Sequence, residues 1–217
     1  ELVNGNARPM RALEICVIAL GALDQNSGDF SVNNLRVIAT RLAARMPTVV
    51  AAFHRARQGL DYLPPRDDLS HAANFLWMLL GKEPSELEAR VFDVAMTLHA
   101  EHEMNASTFS AIVTASTQSD MYSAIASAVG TLKGPLHGGA NTAVYELLAK
   151  IGDEASIKPY IDELLDRKER VMGIGHRIYR TTDPRAVILE ALGEEVAEES
   201  EERFYFDLSR KLRDYLG

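Results

Sequence analysis

Apolar residues recur at intervals of three and four along most of the chain, the period of amphipathic helices. Leu13, Val17 and Leu20 form one such stripe, opened by Pro9, which suits a first helical turn, and running to Gly21. Ser31 is placed to cap a second helix toward Arg45, with Leu35, Ile38 and Leu42 on one face. Pro47 then restarts a segment over 49–57, closed by Gly59. The stretch 61–68 holds Pro64 and Pro65 and reads as a loop. Ser70 caps a helix over 72–80 that Gly81 ends, and Ser85 with Glu88 forms a capping box opening a longer helix through Glu101. Small residues dominate 106–129, among them Ser107, Ser110, Ala111, Ala115, Ser123, Ala124 and Ala128, and let helices approach closely. Further helices are expected over 141–150, 159–170, 184–198 and 201–216, with Pro159 and Pro184 in first turns. No alternating strand pattern, internal repeat or low-complexity tract interrupts the series. The fold class expected is mainly α, with a boundary near the glycines at 138–139.

Composition narrows the class without naming a function. The chain has 217 residues, 47% hydrophobic and 25% charged, which suits one large or two small globular domains. Thirty-one acidic residues against 23 Lys and Arg give a net charge of −8, which argues against a general nucleic-acid binder. Anionic small molecules remain open, because a few placed arginines invert the local field. The acidic run 194–202 reads as a solvated helix face. One cysteine, Cys16, forbids an intrachain disulfide, fits a reducing compartment and reads as a buried thiol in an apolar helix. The longest apolar run, 15–23, is too short for a membrane span, and the first residues lack a signal-peptide pattern. A cytoplasmic protein with no membrane partner is expected.

The candidate chemistry lies with the histidines. His54 and His71 receive no role. His99 and His102, three apart and followed by Glu103, can share a helix face, but the spacing is not that of a zinc protease and no third ligand is evident, so no metal is expected. The segment 133–141, Lys-Gly-Pro-Leu-His-Gly-Gly-Ala-Asn, strips bulk from both sides of His137 just before a helix start. Exposed N–H groups there favour a neutral imidazole that donates a hydrogen bond, as stabilising an enolate oxygen requires. A tight turn whose histidine merely fills space explains the spacing equally well. The segment 171–180, Val-Met-Gly-Ile-Gly-His-Arg-Ile-Tyr-Arg, repeats the device around His176 and continues to Asp183-Pro184-Arg185, which caps the next helix. Two glycines alone are a weak phosphate signal, and three arginines are often a solvated face; together with His176, Arg177, Arg180 and Arg185 read as an anion site.

Three segments then carry a family resemblance. His102-Glu103-Met104-Asn105-Ala106-Ser107-Thr108-Phe109, the 134–141 segment and the 173–185 segment resemble the citrate synthase family, in its order and at similar separations. The resemblance implies a citrate synthase-like helical fold, with 1–140 part of a large domain and 141–217 a small domain incomplete at its C-terminus. It implies an acyltransferase of the tricarboxylic acid cycle that condenses acetyl-CoA, a cosubstrate, with oxaloacetate to give citrate and CoA. No cofactor is bound permanently, and homodimers are the rule. By motif match, His137 stabilises the enol of the thioester and His176 polarises the ketone oxygen. His102 and Arg185 bind oxaloacetate. Gly173, Gly175 and Arg180 belong to the region that receives the CoA nucleotide, and Ser107 orients His137.

One departure accompanies the resemblance. The family's proton-abstracting carboxylate lies in a later Asn-Val-Asp segment beyond Gly217, and the family's N-terminal helices are absent. The chain is therefore expected to be an internal fragment with negligible activity by itself. The alternatives are a 2-methylcitrate synthase using propionyl-CoA, since one methylene is a small pocket change, and a non-catalytic paralogue that binds CoA or oxaloacetate.

Overall fold

The computed structural model describes residues 2–3, 7–101, 103–174, 183–200 and 203–217. Among these every regular element is a helix, and the chain divides into two compact units, Glu1–His137 and Gly138–Gly217.

The first unit holds α1 (Pro9–Ala22), α2 (Val32–Arg57), α3 (His71–Leu80), α4 (Glu86–His99), α5 (Ala106–Ser116) and α6 (Met121–Leu132). Its core gathers Val17 of α1, Ile38 and Leu42 of α2, and Tyr122 and Ala126 of α6. Glycine permits the close crossing of α1 and α6, since a Cβ at Gly21 would lie 2.7 Å from Tyr122 Cβ. The caps form as their residues dictate: Ser31, Ser70 and Ser85 each accept an amide hydrogen bond, and Glu88 completes the box by bonding back to the Ser85 amide. Cys16 is half-buried rather than buried, and burial pushes its thiol above the ordinary value.

Two helix boundaries differ from expectation. Pro47 does not restart a helix but lies inside a continuous α2. An interior proline costs about 3 kcal/mol, yet burial holds both halves: Ile38 and Leu42 before it, Ala51 and Arg55 after it. Leu42 and Ala51 fall on opposite sides of an ideal helix, so the buried stripe changes face at the proline and reads as a break. The small-residue stretch forms two helices, the second capped by Asp120, which accepts from the Ser123 amide at 3.0 Å.

The other difference lies in the second unit, which holds α7 (Ala140–Ile151), α8 (Ile157–Asp166), α9 (Pro184–Glu198) and α10 (Arg203–Leu216). The helix expected to reach 170 stops early because Lys168, at φ 56°, closes it with amide bonds from Lys168 to Leu165 O and from Glu169 to Leu164 O. Leu147, Leu148 and Ile151 of α7, Ile157 and Ile161 of α8, and Leu208 and Leu212 of α10 form this unit's core. Part of the acidic run is ion-paired rather than merely solvated, as Glu194 meets Arg210 of α10 at 2.9 Å.

Candidate active site

His137 closes a turn at the end of α6, its amide donating to Gly134 O at 3.0 Å. Lys133, which opens the turn, is tied to α1 by an ion pair with Glu14 at 3.0 Å. Facing it is the start of α5. Asn105 caps that helix, its Oδ1 accepting from the amides of Ser107 at 2.9 Å and Thr108 at 3.0 Å. The cap sets Ser107 in the first turn, where its Oγ lies 2.8 Å from His137 Nε2. Two residues thirty positions apart, from two of the three resembling segments, are thus joined by a hydrogen bond, both half-buried. A serine hydroxyl can donate to or accept from an imidazole nitrogen, so in either direction the bond fixes the orientation of the ring.

The third segment is described up to Ile174 and again from Asp183. Val171 packs against the core of its unit, and Gly173 has φ +87°, a left-handed backbone that suits glycine. Asp183 caps α9 by accepting from the Arg185 amide at 2.9 Å, and Pro184 and Arg185 occupy the first turn as expected. The Asp183 carboxylate also grips the guanidinium, Nη2 lying 2.7 Å from Oδ2 and Nε 3.1 Å from Oδ1. Both side chains are mostly shielded, with 22% and 21% exposed. This pairing holds Arg185 in a set orientation at a helix start, with its Nε and Nη2 edge taken by Asp183.

His102, Gly175, His176, Arg177 and Arg180 lie outside the described residues. His99 bonds to its own helix, its Nδ1 2.6 Å from Ala95 O, and no group of three or more potential metal ligands occurs among the described residues. Asn105 was not singled out in the sequence, although an Asn two residues before a Ser at a helix start is a capping signal. The grip of Asp183 on the Arg185 side chain has no comparable signature, because it depends on side-chain conformation.

Comparison with known proteins accounts for the order of these segments. The family described as "Citrate synthase, C-terminal domain" matches residues 1–217. The citrate synthase of Deinococcus radiodurans is 50% identical over 200 residues, covering 92% of this chain and 53% of that protein. A 2-methylcitrate synthase of Mycobacterium tuberculosis is 41% identical, with 95% of this chain and 52% of that protein covered. The citrate synthase of Thermoplasma acidophilum, solved with carboxymethyl coenzyme A and oxaloacetate, superposes with a TM-score of 0.89 at 31% identity, covering 95% of this chain and 55% of that one. The chain spans about half the length of the curated relatives it matches. With a family match along its entire length and the helical architecture of a solved member, this chain belongs to the citrate synthase family.

Proposed function

We propose that the whole protein condenses acetyl-CoA with oxaloacetate and water to give citrate and CoA, feeding the tricarboxylic acid cycle. The observation that carries this reading is the 2.8 Å hydrogen bond between Ser107 and His137, which suits an imidazole held in place to donate to a developing oxyanion. In the reaction a proton leaves the carbon beside the thioester, and the enol so formed attacks the ketone of oxaloacetate. Water then cleaves the thioester and releases the CoA thiol. His137 donates to the thioester oxygen as the enol forms, with Ser107 holding the ring. His176 donates to the ketone oxygen as it becomes an alkoxide. Arg185, oriented by Asp183, and His102 take the oxaloacetate. Gly173, Gly175 and Arg180 receive the CoA nucleotide. The reaction so written needs no metal and no permanently bound cofactor.

The protein is proposed to act as a cytoplasmic homodimer. Among the described residues no helix is long and apolar enough to cross a membrane. Phe109, Ile112 and Val113 lie along one face of α5 at helical spacing and are 59%, 48% and 49% exposed. Large apolar side chains grouped in this way favour a protein partner, and a second copy is the occupant proposed. The site is served by small molecules, with no nucleic-acid partner.

The test is steady-state release of CoA thiol by the whole protein, with citrate identified as the product. Absence of turnover with both acetyl-CoA and propionyl-CoA overturns the assignment. The 41% identical 2-methylcitrate synthase favours a second reading in which propionyl-CoA is the substrate. The ratio of kcat/KM for the two acyl-CoAs decides between them, acetyl-CoA being expected to prevail.

A further inference from the structure

We infer that Val144 is a positioning residue for the acyl-CoA site, and that its contact with Gly173 seats the glycine turn on α7. The inference rests on the proposed reading of Gly173 as part of the region that receives the CoA nucleotide. Helix α7 begins at Ala140, three residues after His137 in the chain, and buries Leu147, Leu148 and Ile151 in the core of its unit. Val144 stands one turn before Leu147 and Leu148 and packs against the same core, as does Val171. The glycine turn is therefore anchored on one side by Val171 and abuts α7 at Val144.

Gly173 is constrained twice over. Its φ of +87° already disfavours an L side chain. A Cβ built there would also lie 2.7 Å from Val144 Cγ2, 3.6 Å from Cγ1 and 3.8 Å from Cβ. For a turn glycine chosen only for its backbone angle, asparagine or aspartate would serve as well. The close contact excludes them too. The methyl of Val144 fills the space a side chain would occupy, so the size of residue 144 sets how closely the turn lies against α7. The backbone of Gly173 takes its position from that contact.

The test is a double-mutant cycle in the whole protein with Val144→Ala, Gly173→Ala and the pair, reading KM for acetyl-CoA and for oxaloacetate separately. Gly173→Ala is expected to raise the acetyl-CoA KM about tenfold, because overpacking displaces the turn, while the oxaloacetate KM stays within about twofold. Val144→Ala is expected to raise the acetyl-CoA KM about threefold and to speed amide exchange over 172–174. The pair is expected to bind acetyl-CoA better than Gly173→Ala alone, since the shortened residue 144 makes room for the new Cβ. An acetyl-CoA KM unchanged in Gly173→Ala overturns the inference, and so do effects that multiply independently in the pair. Where Gly173→Ala does not fold, unchanged amide exchange and an unchanged acetyl-CoA KM in Val144→Ala overturn it. Lack of turnover in the unsubstituted protein would instead refute the proposed function, while the exchange measurement still reports on the contact.

Discussion

Replacing Ser107 with alanine removes the hydroxyl 2.8 Å from His137 Nε2 while leaving the local fold in place. The cap on α5 uses the Ser107 amide, not its side chain, and alanine keeps that amide. Alanine is also the better helix former. The loss is thus confined to one hydrogen bond between half-buried partners, worth about 0.5–1.5 kcal/mol. If that bond holds the imidazole where the enol oxygen develops, the whole loss falls on the transition state, and kcat drops about 2- to 12-fold with little change in KM. Ser107→Thr keeps a hydroxyl at the same position and should recover most of the rate. Steady-state thiol release measures both variants, and thermal unfolding confirms that each remains folded. A Ser107→Ala enzyme with unchanged kcat would refute the reasoning, as would a threonine variant impaired as badly as the alanine one.

Four further outcomes are expected. Gly21→Ala places a Cβ 2.7 Å from Tyr122 Cβ; overpacking of about 1–3 kcal/mol, offset in part by helix propensity, should lower Tm by about 2–6 °C in a calorimetric scan. Asp24 accepts from Tyr122 OH at 2.6 Å and Arg41 at 2.7 Å, bonds that hold its carboxyl below the ordinary aspartate value of about 3.9. Because the folded value is the lower one, this stabilisation is present above that ordinary value and fades as pH falls through the native one; urea midpoints between pH 7 and pH 2 should fall less steeply for Asp24→Asn than for the unsubstituted protein. Asp183→Asn retains a capping side chain for α9 but loses the charge that grips Arg185, so Tm should hold while the oxaloacetate KM rises severalfold and the acetyl-CoA KM does not. Phe109→Glu with Val113→Glu should convert a dimer to monomers in sedimentation, and a persistent dimer would remove α5 from the interface.

Local chemistry explains what could be read along the chain. Ser31, Ser70, the Ser85–Glu88 box and the Asp183-Pro184 helix start all form where expected, since a cap requires only partners within a few residues. The segments around His137 and His176 were legible for a related reason. Glycines lie beside the histidine in both, and together with the segment 102–109 they stand in the order of one family. The continuity of α2 through Pro47 was not legible, because periodicity reports a single face and the buried face changes sides there. Nor could spacing show where α8 ends, since Lys168 takes a backbone angle more often given to glycine.

The amino-acid sequence by itself determined the helical class and most of the helix starts, because each depends on near neighbours or on side-chain type. Only the tertiary structure brought Ser107 to His137, laid Gly173 against Val144 and crossed α1 over α6 at Gly21. Such contacts join residues far apart in the chain. They exist only once burial of the two cores has fixed the helices to within a fraction of an ångström, the tolerance of a hydrogen bond or a methyl contact.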